Sequence, residues 1–169
     1  MTILERRAVG ALTLAAGAAL LLGGCSVLGS LTNQTVRDDQ GAVVESNDDA
    51  SAFDVAVGDC MNEPDGSSDV VETVPIVPCS QPHAYEAFAS FRLDDGAFPG
   101  KDAVIAQADR DCTQAFPDFV GVAYEASTLD VTYYYPTEES WNGLGDREIL
   151  CLIFDPAGEV SGSLEAAGR

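Results

Sequence analysis

Among the 169 residues of this chain, the groups able to do chemistry are five cysteines, a single histidine and 28 acidic side chains set against 8 basic ones. Cys25 follows Leu22-Gly23-Gly24, whereas Cys60, Cys79, Cys112 and Cys151 are widely spaced. No two of them form the C-x-x-C pair that zinc knuckles and thiol-exchange enzymes use. A zinc site of Cys60, Cys79, His83 and Cys112 would lack that scaffold, so we expect no metal and no cofactor. With Cys25 set apart, four cysteines remain, and four allow three pairings. We expect Cys60 with Cys79, a pair that bounds an acidic turn between successive strands. We expect Cys112 with Cys151, which would join the buried stripe of a helix to a central strand.

His83 stands in Pro82-His83-Ala84-Tyr85-Glu86. As a general base it would need a nucleophile and an orienting acid, and the chain holds no G-x-S-x-G or similar motif. On a strand, His83 and Glu86 project to opposite faces, so they make a poor ligand pair. The bland expectation is a histidine hydrogen-bonded to backbone or to a nearby acid. The stretch from Glu63 to Glu72 places Gly66 and Glu72 at the sixth and twelfth positions of a calcium-loop register, but Met61 occupies the first, where a carboxylate is required. We read it as an ordinary acidic turn. Tyr133-Tyr134-Tyr135, Trp141, Glu138 and Glu139 are the set best suited to a ligand platform, since rings stack and carboxylates orient hydroxyls. No catalytic residue is assigned. The expected binding surface comprises His83, Tyr134, Trp141 and Arg147.

The positions of these groups depend first on the N-terminus. Arg6 and Arg7 precede an uncharged apolar run from Ala8 to Leu22, and Gly23-Gly24-Cys25 follows. Basic, apolar, small and cysteine in that order describe a lipoprotein signal peptide, with residues 1–24 removed and the Cys25 thiol accepting lipid. Several fatty chains, such as diacylglycerol plus palmitate, would hold the chain stably at the outer face of the cytoplasmic membrane, at about 0.8 kcal/mol per buried CH₂. An uncleaved anchor helix is the alternative, and the glycines of the run speak against it. Arg6-Arg7 does not complete a twin-arginine motif, so the export route stays open. Residues 25–52 are polar and without aromatics, and are expected to form a flexible acidic tether.

The domain proper is expected over residues 53–164, with residues 165–169 as a tail. Phe53, Val55 and Val57 alternate as a short strand would; Val70 to Val77 reads as another, with Pro75 demanding an edge or an irregular pairing. His83 to Leu93 alternates, placing Tyr85, Ala87, Ala89, Phe91 and Leu93 on one face. From Lys101 to Phe116 apolar residues recur every three or four positions, predicting an amphipathic helix that Pro117 ends. Leu129 to Tyr135 predicts a strand, Thr137 caps a helical turn, Arg147 to Phe154 is apolar on both faces and so central, and Val160 to Leu164 suggests an edge strand. The economical fold is α+β, a small antiparallel sheet with one main helix packed on one face and two disulfides.

Formal net charge is -20, and removal of Glu5, Arg6 and Arg7 with the signal leaves 27 acids against 6 bases. Such a field repels phosphates, so we expect no nucleic-acid partner; membrane contact is through the lipid. Five segments taken together, Val57-Gly58-Asp59-Cys60, Val77-Pro78-Cys79-Ser80-Gln81-Pro82-His83, Phe98-Pro99-Gly100, Tyr135 through Trp141, and Gly145 through Cys151, resemble the septum-formation domain of actinobacterial exported proteins. The likeness runs from about Phe53 to Leu164. The family's four cysteines map onto Cys60, Cys79, Cys112 and Cys151. The resemblance implies a role in the cell envelope or division septum and supplies no catalytic residues. The reading it favours is a non-enzymatic module that meets a cell-wall or division protein. A peptidoglycan- or small-ligand-binding lipoprotein, or a wall-active hydrolase, is the alternative.

Overall fold

A computed structural model of the chain describes residues 34–64, 66 and 70–169. The signal segment and Cys25 lie outside the described residues, as do Asp65, Ser67, Ser68 and Asp69 of the acidic turn. The elements run β1 (Asn47–Ser51), β2 (Cys60–Met61), β3 (Thr73–Val77), β4 (Tyr85–Arg92), α1 (Lys101–Val120), β5 (Asp130–Tyr134), α2 (Glu138–Gly143) and β6 (Glu148–Phe154). All six strands pair antiparallel in one curled sheet of order β1-β3-β2-β4-β6-β5. The expected α+β architecture is what the chain adopts.

Helix α1 supplies the main core. Val104, Ala108, Cys112, Phe116 and Val120 form a stripe of one residue every four, each almost wholly buried. They pack on Ile149, Cys151 and Ile153 of β6 together with Phe88, Leu93 and Trp141. Leu150 and Leu152 of β6 point the other way, into a second cluster with Ala50, Met61, Val74 and Ile76. Strand β6 is therefore apolar on both faces, as its sequence requires. Cys112 joins Cys151 across the first cluster, with Cα atoms 5.5 Å apart, and Cys60 joins Cys79 with Cα atoms 5.1 Å apart. Both are the expected pairings, and they leave the zinc alternative without its sulfur ligands.

Several local expectations are corrected. The folded part begins upstream of Phe53: β1 is hydrogen-bonded to β3, and before it the Arg37 guanidinium grips the nearly buried Asp59 carboxylate at 2.5 and 2.6 Å. Residues 34–52 are thus not a free tether, because a buried acid needs a counter-charge and Arg37 provides it. Phe53 lies in a 3-10 turn capped by Ser51 instead of a strand, with Phe53 and Val57 more than half exposed. Pro117 does not end α1. Burial of Val120 carries the helix one further turn, and Gly121, at φ 90°, closes it by donating its N–H to the Pro117 carbonyl.

In β4 the register slips between Ala87 and Ala89. The slip places Tyr85 and Ala87 with the second cluster and Phe88, Ala89, Phe91 and Leu93 with the helix side, so the expected single face is divided. Pro75 sits where the β1–β3 register slips, in an interior strand with irregular pairing. Val160 makes one isolated bridge to His83 instead of a strand. The tail is docked: Ala166 and Gly168 donate to the carbonyls of Phe119 and Val120, and Arg169 pairs with Asp155 at 2.7 Å.

Candidate functional site

The curl of the sheet brings its two ends to one cleft of about 230 Å³. One wall is Ala52 and Phe53, just past β1, with Val70 and Val71, just before β3. The opposite wall is Tyr133, Tyr134 and Tyr135 of β5 and its exit, Leu150 and Glu148 of β6, and Thr137, Ser140 and Asp146 around α2. Past Val70, Tyr135 and Thr137 the cleft continues into a groove of about 580 Å³ bordered by Phe98, Lys101, Pro136 and Glu138.

Its polar floor follows from a helix cap. Thr137 accepts the Ser140 N–H at 3.1 Å while the Ser140 hydroxyl accepts the Thr137 N–H at 3.0 Å, a reciprocal capping box. The Ser140 hydroxyl also donates to Asp146 Oδ2 at 2.9 Å, and Asp146 Oδ1 accepts the Glu148 N–H at 3.0 Å. Asp146 is therefore the brace between α2 and β6. Glu148 is exposed and accepts the Ser90 hydroxyl at 2.5 Å.

Tyrosine chemistry at the cleft is that of neutral phenols. Burial, reinforced by the Glu63 carboxylate, pushes Tyr134 up to about 12. Burial and a 2.7 Å hydrogen bond to Asp109 do the same for Tyr133. These rings present hydroxyl donors and apolar faces and do not act as bases near neutral pH.

Of the four residues expected on a binding surface, Tyr134 alone lines the cleft. His83 is fully buried, and its Nδ1 donates to the Gln81 carbonyl at 2.8 Å, which is the bland outcome for a histidine at the start of a strand. It also lies at the other end of the β4–β6 ladder, beyond Tyr85, whereas Arg92 pairs with Glu148 at the cleft end. Trp141 is 3% exposed and donates its indole N–H to the Gly96 carbonyl at 2.9 Å. Arg147 stacks on that ring, 3.6 Å from its centre, and donates to the Trp141 and Asp146 carbonyls. Together they clamp α2 to the loop before α1. The tyrosine triplet and Glu138 of the expected platform do border the cleft and groove.

Sequence reasoning missed Phe53, Val70, Val71, Ser140, Asp146 and Glu148. The Thr137-x-x-Ser140 spacing was the available signal for the last turn, and nothing local marked the first wall. Elsewhere, the buried Glu86 accepts the Ser163 hydroxyl and the Leu164 N–H, both at 2.6 Å, and so holds the C-terminal segment. Its carboxylate lies within 4.8 Å of the Cys60 and Cys79 sulfurs, which are already bonded to each other. Met61, at the first position of the calcium register, is fully buried in β2.

An uncharacterized membrane protein of Mycobacterium tuberculosis, Rv3835, is 29% identical over 119 residues, covering 63% of this chain and 25% of its own length. A Mycobacterium bovis protein named "Putative lipoprotein LppN" is 26% identical over 110 residues, covering 64% of this chain and 60% of its own. The chain thus spans less than two thirds of the length of either relative. No solved structure matches it. The sequence profile described as septum formation matches residues 15–151, a stretch holding all four disulfide cysteines, the tyrosine triplet and the Thr137–Ser140 cap, and by that match the chain belongs to the septum-formation family.

Proposed function

We propose that this protein is an extracytoplasmic lipoprotein, held at the outer face of the cytoplasmic membrane by lipid on Cys25, whose domain serves cell-envelope or septum assembly by binding a wall or division protein in the cleft. Membership of the family and the name borne by the M. bovis relative support the setting. Among the described residues no helix is long and apolar enough to cross a membrane. Attachment is assigned to the lipid because the order basic, apolar, small and cysteine over residues 6–25 fits a lipoprotein signal.

The observation that carries the binding role is the cleft itself. Its lining includes Phe53 and Val70, 55% and 50% exposed, with Tyr134 and the carboxylates of Asp146 and Glu148. We take these apolar side chains, gathered at a cleft with a few convergent polar groups, as a recognition surface. His83, the chain's one histidine, is buried away from it.

A photoreactive residue in place of Phe53, activated in living cells, tests the reading. Capture of an envelope component, absent when the photoreactive group is moved to Gln114 on the outer side of α1, is expected. Failure to capture any envelope component at position 53 would sink it. Cys25→Ala should move the protein from the membrane to the soluble fraction, and unchanged retention refutes lipid attachment at that residue.

A further inference from the structure

We infer that the occupant of the cleft is an extended, cationic peptide segment that adds as a strand to the outer edge of β5. The inference rests on the cleft being the recognition site.

The sheet has two edge strands, and they are built differently. Edge β1 carries a register slip and the adjacent acids Asp48 and Asp49, devices that blunt an edge against further pairing. Edge β5 pairs with β6 in unbroken register from Asp130 to Tyr134 and has no strand on its other side among the described residues. Its sequence, Asp-Val-Thr-Tyr-Tyr, is strongly strand-forming. The one charge, Asp130, is occupied locally: its carboxylate accepts the Val131 N–H at 2.8 Å and the Tyr124 hydroxyl at 2.5 Å. From Thr132 to Tyr134 neither bulge, proline nor charge interrupts the edge.

An added strand projects alternate side chains to the two sheet faces. On one face they meet the cleft, with Tyr134, Phe53 and Val70 for apolar contact and Glu148 at its border. On the other they meet Tyr133 and the exposed Asp109 to which it is bonded. Acids stand on both sides; among the described residues Lys101 is the single base lining cleft or groove, and Arg92, the cross-strand partner of Glu148, is paired with Asp95 at 3.1 Å. The fitting peptide thus carries cations at alternating positions. A second copy of the chain, itself at -20, would set Glu148, Asp130 and Asp109 against like charges and is the poorer occupant.

The test uses the full chain solubilised in non-ionic detergent and three labelled probes: a short peptide of alternating Lys and Val, the same peptide with alternate amides N-methylated, and its Glu-Val counterpart. Binding of the Lys-Val probe is expected, weakened about tenfold or more by N-methylation, which removes the donors a ladder needs. The Glu-Val probe should not bind. Backbone hydrogen exchange should slow at Thr132 to Tyr134 on binding, and Glu148→Gln should weaken it by about threefold. Equal binding of the N-methylated probe overturns strand addition. So does protection of β5 by self-association in the absence of peptide, or failure of every probe to bind. Because the in-cell capture at position 53 requires no strand pairing, its success alongside these failures would leave the recognition site standing and remove only this occupant.

Discussion

Removing the two disulfides separately should cost unequal amounts. Cys60 and Cys79 are 19 residues apart and Cys112 and Cys151 are 39 apart. Loop-closure entropy gives about 3.3 kcal/mol for the first and about 3.9 kcal/mol for the second. That gap is small, and burial widens it. Cys112 and Cys151 are both fully buried under α1, so replacing them with Ala vacates two sulfur-sized spaces in close-packed core, at roughly 1 kcal/mol each. Of the other pair Cys60 alone is fully buried, and Cys79 is partly exposed. The totals become about 6 kcal/mol for Cys112→Ala/Cys151→Ala and about 4 kcal/mol for Cys60→Ala/Cys79→Ala. For the about 130 described residues, roughly 0.27 kcal/mol per kelvin translates these into melting points lower by about 20 and about 15 °C. Calorimetry and urea unfolding of the two double variants provide the measurement. Equal losses, or a larger loss for the Cys60–Cys79 pair, would refute the claim that the helix-to-sheet staple closes the principal core.

Trp141→Ala should destabilise by about 3–5 kcal/mol in urea unfolding, since it empties a buried ring site and strands the Arg147 guanidinium; a loss under 1 kcal/mol would contradict the clamp. Tyr85, Tyr124, Tyr133 and Tyr134 all have folded values of about 12, through burial chiefly for Tyr85, Tyr133 and Tyr134 and through its bond to Asp130 chiefly for Tyr124. Raised phenol values mean that their contribution to stability is full below about pH 10, where unfolded tyrosine begins to ionise, and is lost as pH rises towards 12. Ultraviolet titration of phenolate should show most of the five tyrosines ionising well above the unfolded chain, and normal titration of the set would count against the burial. Glu86→Ala removes the acceptor of the buried Leu164 N–H and should cost about 3 kcal/mol, accompanied by faster proteolysis within residues 156–169; unchanged cleavage there would show that the tail is held by other contacts.

Features whose causes lie within a few residues were legible in the amino-acid order. The four-residue recurrence of Val104, Ala108, Cys112 and Phe116 specifies a one-sided helix, the two-sided apolar run Ile149 to Ile153 specifies an interior strand, and Thr137 specifies the start of α2. Cysteine pairing was legible because it followed from those elements: a cysteine on a buried helix stripe meets one on the strand beneath it.

Which polar and aromatic residues reach solvent is set by long-range packing. Trp141 and His83 have the composition of a binding surface and are buried, because Arg147 and the loop at Gly96 cover the one and the segment at Val160 backs the other. The slip at Phe88, the recruitment of residues 34–52 through Arg37 and Asp59, and the extension of α1 past Pro117 were equally invisible, since each trades a local preference for contacts with distant chain. The cleft is the extreme case. Phe53 and Tyr134 come from opposite ends of a curled sheet, and their meeting depends on the twist accumulated over six strands, which no window of neighbouring residues contains.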